Sequence, residues 1–101
     1  MPEYPETVTV GPYEVPLKVG PEHLSASNLL GEYVALPAYQ VAVRDLEGLT
    51  GYTSLLHECI HMISDLYELD LSEATVRALD QQITVLIREN HWLVEGLQQD
   101  Q

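Results

Sequence analysis

The chain has 101 residues, 46% of them hydrophobic, and sixteen Asp and Glu against four Lys and Arg give it a net charge of −12. That length fits a single domain, 1–101, and that apolar content argues against wholesale disorder. The negative charge repels nucleic-acid phosphates and anionic membranes, so direct binding to either is not expected.

Residues 1–50 read as mainly β and contain all six prolines. The β-branched run Thr7–Val10, the pair Gly11-Pro12 and the stretch Tyr13–Val19 predict two strands across a tight turn. Pro16 lacks an N–H for a sheet ladder, which predicts an edge or bulged strand there. Residues 20–31 form a connection with room for a short helical turn. A second strand pair follows over 32–36 and 39–44 around Pro37-Ala38, with Tyr39, Val41 and Val43 on one face and Gln40, Ala42 and Arg44 on the other.

Residues 51–92 read as helical. From about 52 to 67, apolar residues recur at 55, 56, 59, 60, 63, 66 and 67, a helical period, with Thr50 or Thr53 as the expected cap. Leu56, Ile60, Ile63 and Tyr67 are expected to face the core, leaving 57, 58, 61 and 65 on a cleft. Ser72 predicts the cap of a second helix with the stripe Val76, Leu79, Ile83, Leu86 and Ile87, and Glu73 suits the positive end of its dipole. That helix should end near Asn90, with Trp92 capping the core and 98–101 frayed. A short helix–helix connection predicts antiparallel neighbours. The expected fold class is α+β, a small antiparallel sheet covered by two antiparallel helices.

The chemistry concentrates in His57-Glu58-Cys59-Ile60-His61. Two histidines four apart on a helix project from the same side, one turn above each other, and can grip one metal ion at ~2.0–2.1 Å each. Glu58, beside His57, can then reach a water rather than the metal and act as general base. A zinc site with one open position needs a third protein ligand. Folding the second helix back about residue 70 places Asp80 opposite His61, whereas Glu73 reaches the metal only if the helices tilt. Cys59 falls on the buried side of its helix and reads as a small apolar residue. His23 and His91 lie far along the chain and read as surface or packed histidines, and Asp65 as solvated.

The stretch 53–61, then Leu69-Asp70-Leu71-Ser72-Glu73, Val76, Leu79, Leu86 and Arg88-Glu89-Asn90, resembles small metallopeptidase-like proteins of bacteriophages and prophages. These are similar in turn to the gluzincin zinc peptidases, and the resemblance spans roughly residues 31–90. It implies one zinc ion, a peptide or protein substrate, and a third ligand from the glutamate that opens a Glu-x-x-Ala-Asp/Asn stretch. Here that glutamate corresponds to Glu73, with Val76 and Arg77 in the Ala and Asp/Asn places. Asp80 would then be the carboxylate behind a ligating histidine, or the alternative ligand. The resemblance further implies that the strand before the metal helix, 39–44, aligns substrate by edge pairing.

The opening Met-Pro-Glu-Tyr-Pro-Glu has no basic-then-apolar pattern, and one cysteine cannot form an internal disulfide, so a cytoplasmic location is expected, the host's if the protein is phage-encoded. The competing expectation is a non-enzymatic acidic accessory protein. In that case the zinc is structural and the surface binds a basic host protein or mimics DNA. The donor set would also accept other divalent ions.

Overall fold

A computed structural model describes residues 4–99. It is an α+β fold: a four-stranded mixed sheet and three helices. Strands β1 (Thr7–Val10) and β2 (Tyr13–Val19) pair antiparallel across the two-residue turn Gly11-Pro12. Gly11 takes φ 57°, a conformation that costs any residue with a Cβ about 1 kcal/mol. Along β2, Val15 and Leu17 are buried while Glu14, Pro16 and Lys18 are exposed, the alternation of a half-covered strand.

The sheet order β1-β2-β4-β3 corrects two expectations. The sheet is not purely antiparallel, because β2 also pairs in parallel with β4 (Gln40–Val43), Leu17 lying opposite Val41. Nor is β2 an edge. It hands over from one neighbour to the other at Pro16, the last residue opposite β1 and the one before β4 pairing begins, so the missing N–H falls between the two ladders. The edges are β1 and β3 (Gly31–Val34), the latter antiparallel to β4.

Between β2 and β3 the chain makes a 3-10 turn, Pro21–His23, and an irregular stretch fastened from both ends. Arg44 donates to the carbonyls of Ser27 and Leu29, while Glu32 accepts from the Ser25 N–H at 2.9 Å and its hydroxyl at 2.7 Å. These bonds hold Leu29, Leu30 and Gly31 as a fixed wall.

Helix α1 (Leu49–Leu66) starts earlier than its periodicity suggested. Its N-cap is Gly48; Thr53 lies inside the helix and donates its hydroxyl to the Leu49 carbonyl at 2.7 Å, and Thr50 makes no cap bond either. It ends where Glu68 turns left-handed (φ 54°) and the Leu69 N–H closes on the Ser64 carbonyl at 2.9 Å. The core is Val10, Val15, Leu17, Val41, Val43, Leu46 and Met62, against which Leu55, Cys59 and Leu66 pack. The sheet-facing stripe of α1 is therefore 55, 59, 62 and 66. Ile60 is buried, but Ile63 and Tyr67 are exposed, contrary to expectation. The helix is apolar on more than one side, so periodicity alone left its phase open.

Helix α2 (Glu73–Glu89) begins at Ser72, whose hydroxyl accepts from the Thr75 N–H at 3.1 Å. Its apolar stripe is covered unevenly: Val76 is fully buried and Ile83 half-buried, whereas Leu79, Leu86 and Ile87 are exposed. A third helix, α3 (His91–Leu97), replaces the expected tail, and Trp92 is 72% exposed instead of capping the core. Of the expected frayed end, residues 100 and 101 lie outside the described residues, as do residues 1–3 of the opening segment. Among the described residues, no helix is long and apolar enough to cross a membrane.

Candidate metal centre

Sheet, wall and helices converge on one cleft. His57 and His61 stand one turn apart on α1 with ring centres 4.9 Å apart, and both turn towards the start of α2. Glu73 meets them there: its carboxylate oxygens lie 2.7 Å from His57 Nε2 and 2.8 Å from His61 Nε2. Asp80, two turns further along α2, approaches His57 from behind, with Oδ2 2.5 Å from Nδ1. Asp80 is buried and Glu73 half-exposed. Thus Glu73 shares the open side with the two Nε2 atoms, while Asp80 faces only the far nitrogen of one ring. One ligand atom from each of His57, His61 and Glu73 can be chosen so that all lie within 4.8 Å of one another.

The hydrogen bonding fits a cation. An Nδ1–H donated to Asp80 would leave the Nε2 lone pair for an ion, whereas a proton on Nε2 as well would bond the Glu73 carboxylate at 2.7 Å. Two imidazoles and a carboxylate are the donor set of a hydrolytic zinc site, and other divalent ions tolerate it.

The local charges shift the titrations. Burial alone would lower the His57 pKa, but its hydrogen bond to Asp80 and the charges of Glu73 and Glu58 outweigh that and hold it above the usual range. Partial burial would raise Glu73, yet the two histidines pull its pKa below that of an ordinary carboxylate. Glu58 moves the other way. Its burial dominates over the nearby histidines, and Glu73 and Glu32 add repulsion, so its carboxyl titrates above the usual value.

Glu58 fits its place because residue 31 is glycine. A Cβ there would lie 3.1 Å from Glu58 Cγ and 3.2 Å from Oε2. His57, Glu58 and Glu73 form the waist between two lobes of the cleft. One lobe, about 480 Å³, is walled by Leu29, Leu30, Leu49, Thr53 and Arg77. The other, about 510 Å³, reaches Glu32, Tyr33 and His61. The volumes are in the range of sites for small ligands.

All five residues singled out in the sequence, His57, Glu58, His61, Glu73 and Asp80, line or back this cleft. The strand expected to align substrate does not. β4 is flanked by β2 and β3 with both ladders filled, and the free edge beside the centre belongs to β3. Cys59 packs against the core, where burial, then the charge of Glu58, pushes its thiol up to about 11. His23 lies 3.5 Å from Glu22 and His91 is exposed, both apart from the centre. Asp65 is exposed; burial first, and Asp65 second, raise the pKa of the Tyr33 hydroxyl. The wall residues Leu29 and Leu30 carried no motif that sequence reasoning could use, and Arg77 entered it only as a departure from the Asp/Asn place of the gluzincin pattern.

No known protein family, curated protein or solved structure matches this chain.

Proposed function

We propose that the chain is a zinc-dependent metallopeptidase of minimal gluzincin type, acting on a peptide or protein substrate. The observation that carries this reading is the convergence of His57 Nε2 and His61 Nε2 on Glu73, with Glu58 beside them at the waist of an open cleft. His57, His61 and Glu73 would hold the ion. When bound, zinc supplies a Lewis acid that polarises a scissile carbonyl and lowers the pKa of the attacking water.

The remaining work falls to the chain. Asp80 would accept the Nδ1–H of His57 and so favour the tautomer whose Nε2 can turn to the ion. Glu58 would take a proton from the attacking water and return it to the leaving amine. The free edge of β3 offers unpaired backbone groups to an extended peptide lying across the waist.

The acidic surplus favours a second reading, a non-enzymatic protein with a structural metal and a basic partner. Metal analysis joined to a Glu58→Gln variant separates them. Stoichiometric zinc in both proteins, with peptide cleavage in the wild type alone, supports the peptidase. Cleavage that survives the variant removes Glu58 from the mechanism, and a purified protein without zinc sinks the reading altogether.

A further inference from the structure

Apart from His57 and His61, the ionisable cleft residues are acidic with one exception. Glu58 and Glu73 line both lobes, Asp80 the one with Leu30 and Leu49, and Glu32 and Tyr33 the other, and among the described residues Arg77 is the only Lys or Arg on either. Of the four basic residues in the chain, Arg44 is spent on the carbonyls of Ser27 and Leu29. Arg77 makes no hydrogen bond among the described residues; its nearest partner is Glu73 at 3.6 Å, an ion pair between side chains 64% and 54% exposed. Such a pair contributes little, so the guanidinium keeps its donors for something else. Leu29, Leu30 and Leu49 line the same lobe, so a planar charged group stands at the rim of an otherwise apolar wall.

The geometry points to Arg77 as a specificity residue that anchors a carboxylate of the substrate in the Leu29–Leu30–Leu49 lobe. The inference rests on the peptidase reading and adds a substrate class to it. A planar guanidinium matches a carboxylate in two parallel hydrogen bonds. The three neighbouring acidic residues disfavour a dianionic phosphate, and a singly charged carboxylate is the anion that suits this lobe. The Arg77 guanidinium lies 3.6 Å from the Glu73 carboxylate, so the anchored group stands close to the cleaved bond, within about two extended residues of it. Either an acidic side chain or a free C-terminus supplies that carboxylate.

The test uses zinc-saturated full-length protein carrying Glu58→Gln, so that peptides stay intact, and calorimetric binding of short alanine-based peptides. Asp is walked through the sequence with Asn as its control, and each C-terminus is either free or amidated. The expected preference for carboxylate over amide is about tenfold, the scale of one charge-assisted hydrogen bond at a partly exposed site. The Asp/Asn pairs and the free/amidated pairs say which source supplies the group. Added Arg77→Gln should erase the preference at unchanged zinc content, Arg77→Lys should keep part of it, and Arg77→Glu should turn it towards peptides containing Lys. Equal binding of carboxylate and amide by the Arg77 protein overturns the inference, as does an Arg77→Gln loss that is the same for both or that follows zinc loss. Failure of the peptidase reading looks different: no zinc, or no cleavage by the wild type. The peptide series on the protein as purified then still decides the role of Arg77.

Discussion

Replacing Asp80 with Asn tests the centre at the point where sequence reasoning left two answers. The substitution keeps the volume of a buried side chain and removes one charge, 2.5 Å from His57 Nδ1. The amide oxygen still accepts the Nδ1–H, but as a neutral partner, so the imidazole becomes a weaker donor to an ion on its other nitrogen. Loss of such an outer carboxylate costs about 10–100-fold in metal affinity, or about 1.4–2.8 kcal/mol. Asp80→Asn should fall near the lower figure. Asp80→Ala should fall near the upper one and also destabilise the metal-free protein by about 1–3 kcal/mol, through a donor left unpaired. Glu73→Gln, which removes a direct ligand, should cost more than either. A zinc competition titration against a chromophoric chelator reads all three affinities, and thermal melts of the metal-free proteins read stability. Affinity within about threefold of wild type for both Asp80 variants would refute the outer-carboxylate role. A larger loss for Asp80→Ala than for Glu73→Gln would make Asp80 the ligand.

Gly31→Ala should leave zinc content unchanged and lower kcat, because the new methyl would sit 3.1 Å from Glu58 Cγ and push the base aside; an unchanged kcat would show that Glu58 has another place to stand. Met62→Ala removes a fully buried side chain from the core and should cost about 2–5 kcal/mol in a denaturant titration, with the centre's ligands untouched. pH should act in opposite directions on stability and on metal affinity. Because His57 is held above its ordinary value near 6.5, its contribution to the metal-free fold is complete below that pH and is lost as pH rises through the raised value. Thermal melts of metal-free protein should therefore decline over that window while zinc affinity climbs, since the same proton competes with the ion. Glu73, depressed, should lose its contribution only under acid, as pH falls below about 4.5 towards its lowered value.

The residues that could be read from the chain are those governed by local rules. A four-residue spacing puts His57 and His61 on one side of any helix, and Ser72 before an amphipathic run marks a helix start wherever it occurs. The turn at Gly11-Pro12 is equally local, and both hairpins followed from such signals. What escaped depends on distant partners. Nothing in Tyr13–Val19 says that its second half will pair in parallel with β4, because partner choice lies outside a strand's own pattern. The phase of α1 escaped because the helix has apolar residues on more than one side, and only contact with the sheet selects Leu55, Cys59, Met62 and Leu66. The cleft wall escaped for a related reason. It is positioned by hydrogen bonds that Arg44 donates and Glu32 accepts, and their partners, Ser25 to Leu29, carry no sequence signature.

The seam between α1 and α2 has a mechanical consequence. Its ties among the described residues include His57–Asp80, His57–Glu73, His61–Glu73 and the Ser64 hydroxyl accepting from the Leu71 N–H. Three of the four pass through the proposed ligands. Beyond Asp80, Ile83 of α2 is half-buried while Val85, Leu86 and Ile87 are exposed, so its far end is held less firmly than its start. An ion held by both helices would therefore act as a rivet as well as a reagent. At a thousandfold excess over its dissociation constant it would stabilise the fold by about 4.1 kcal/mol, a large share of the ~5–15 kcal/mol typical of a domain. The second helix would then rest against the first most firmly when the centre is loaded.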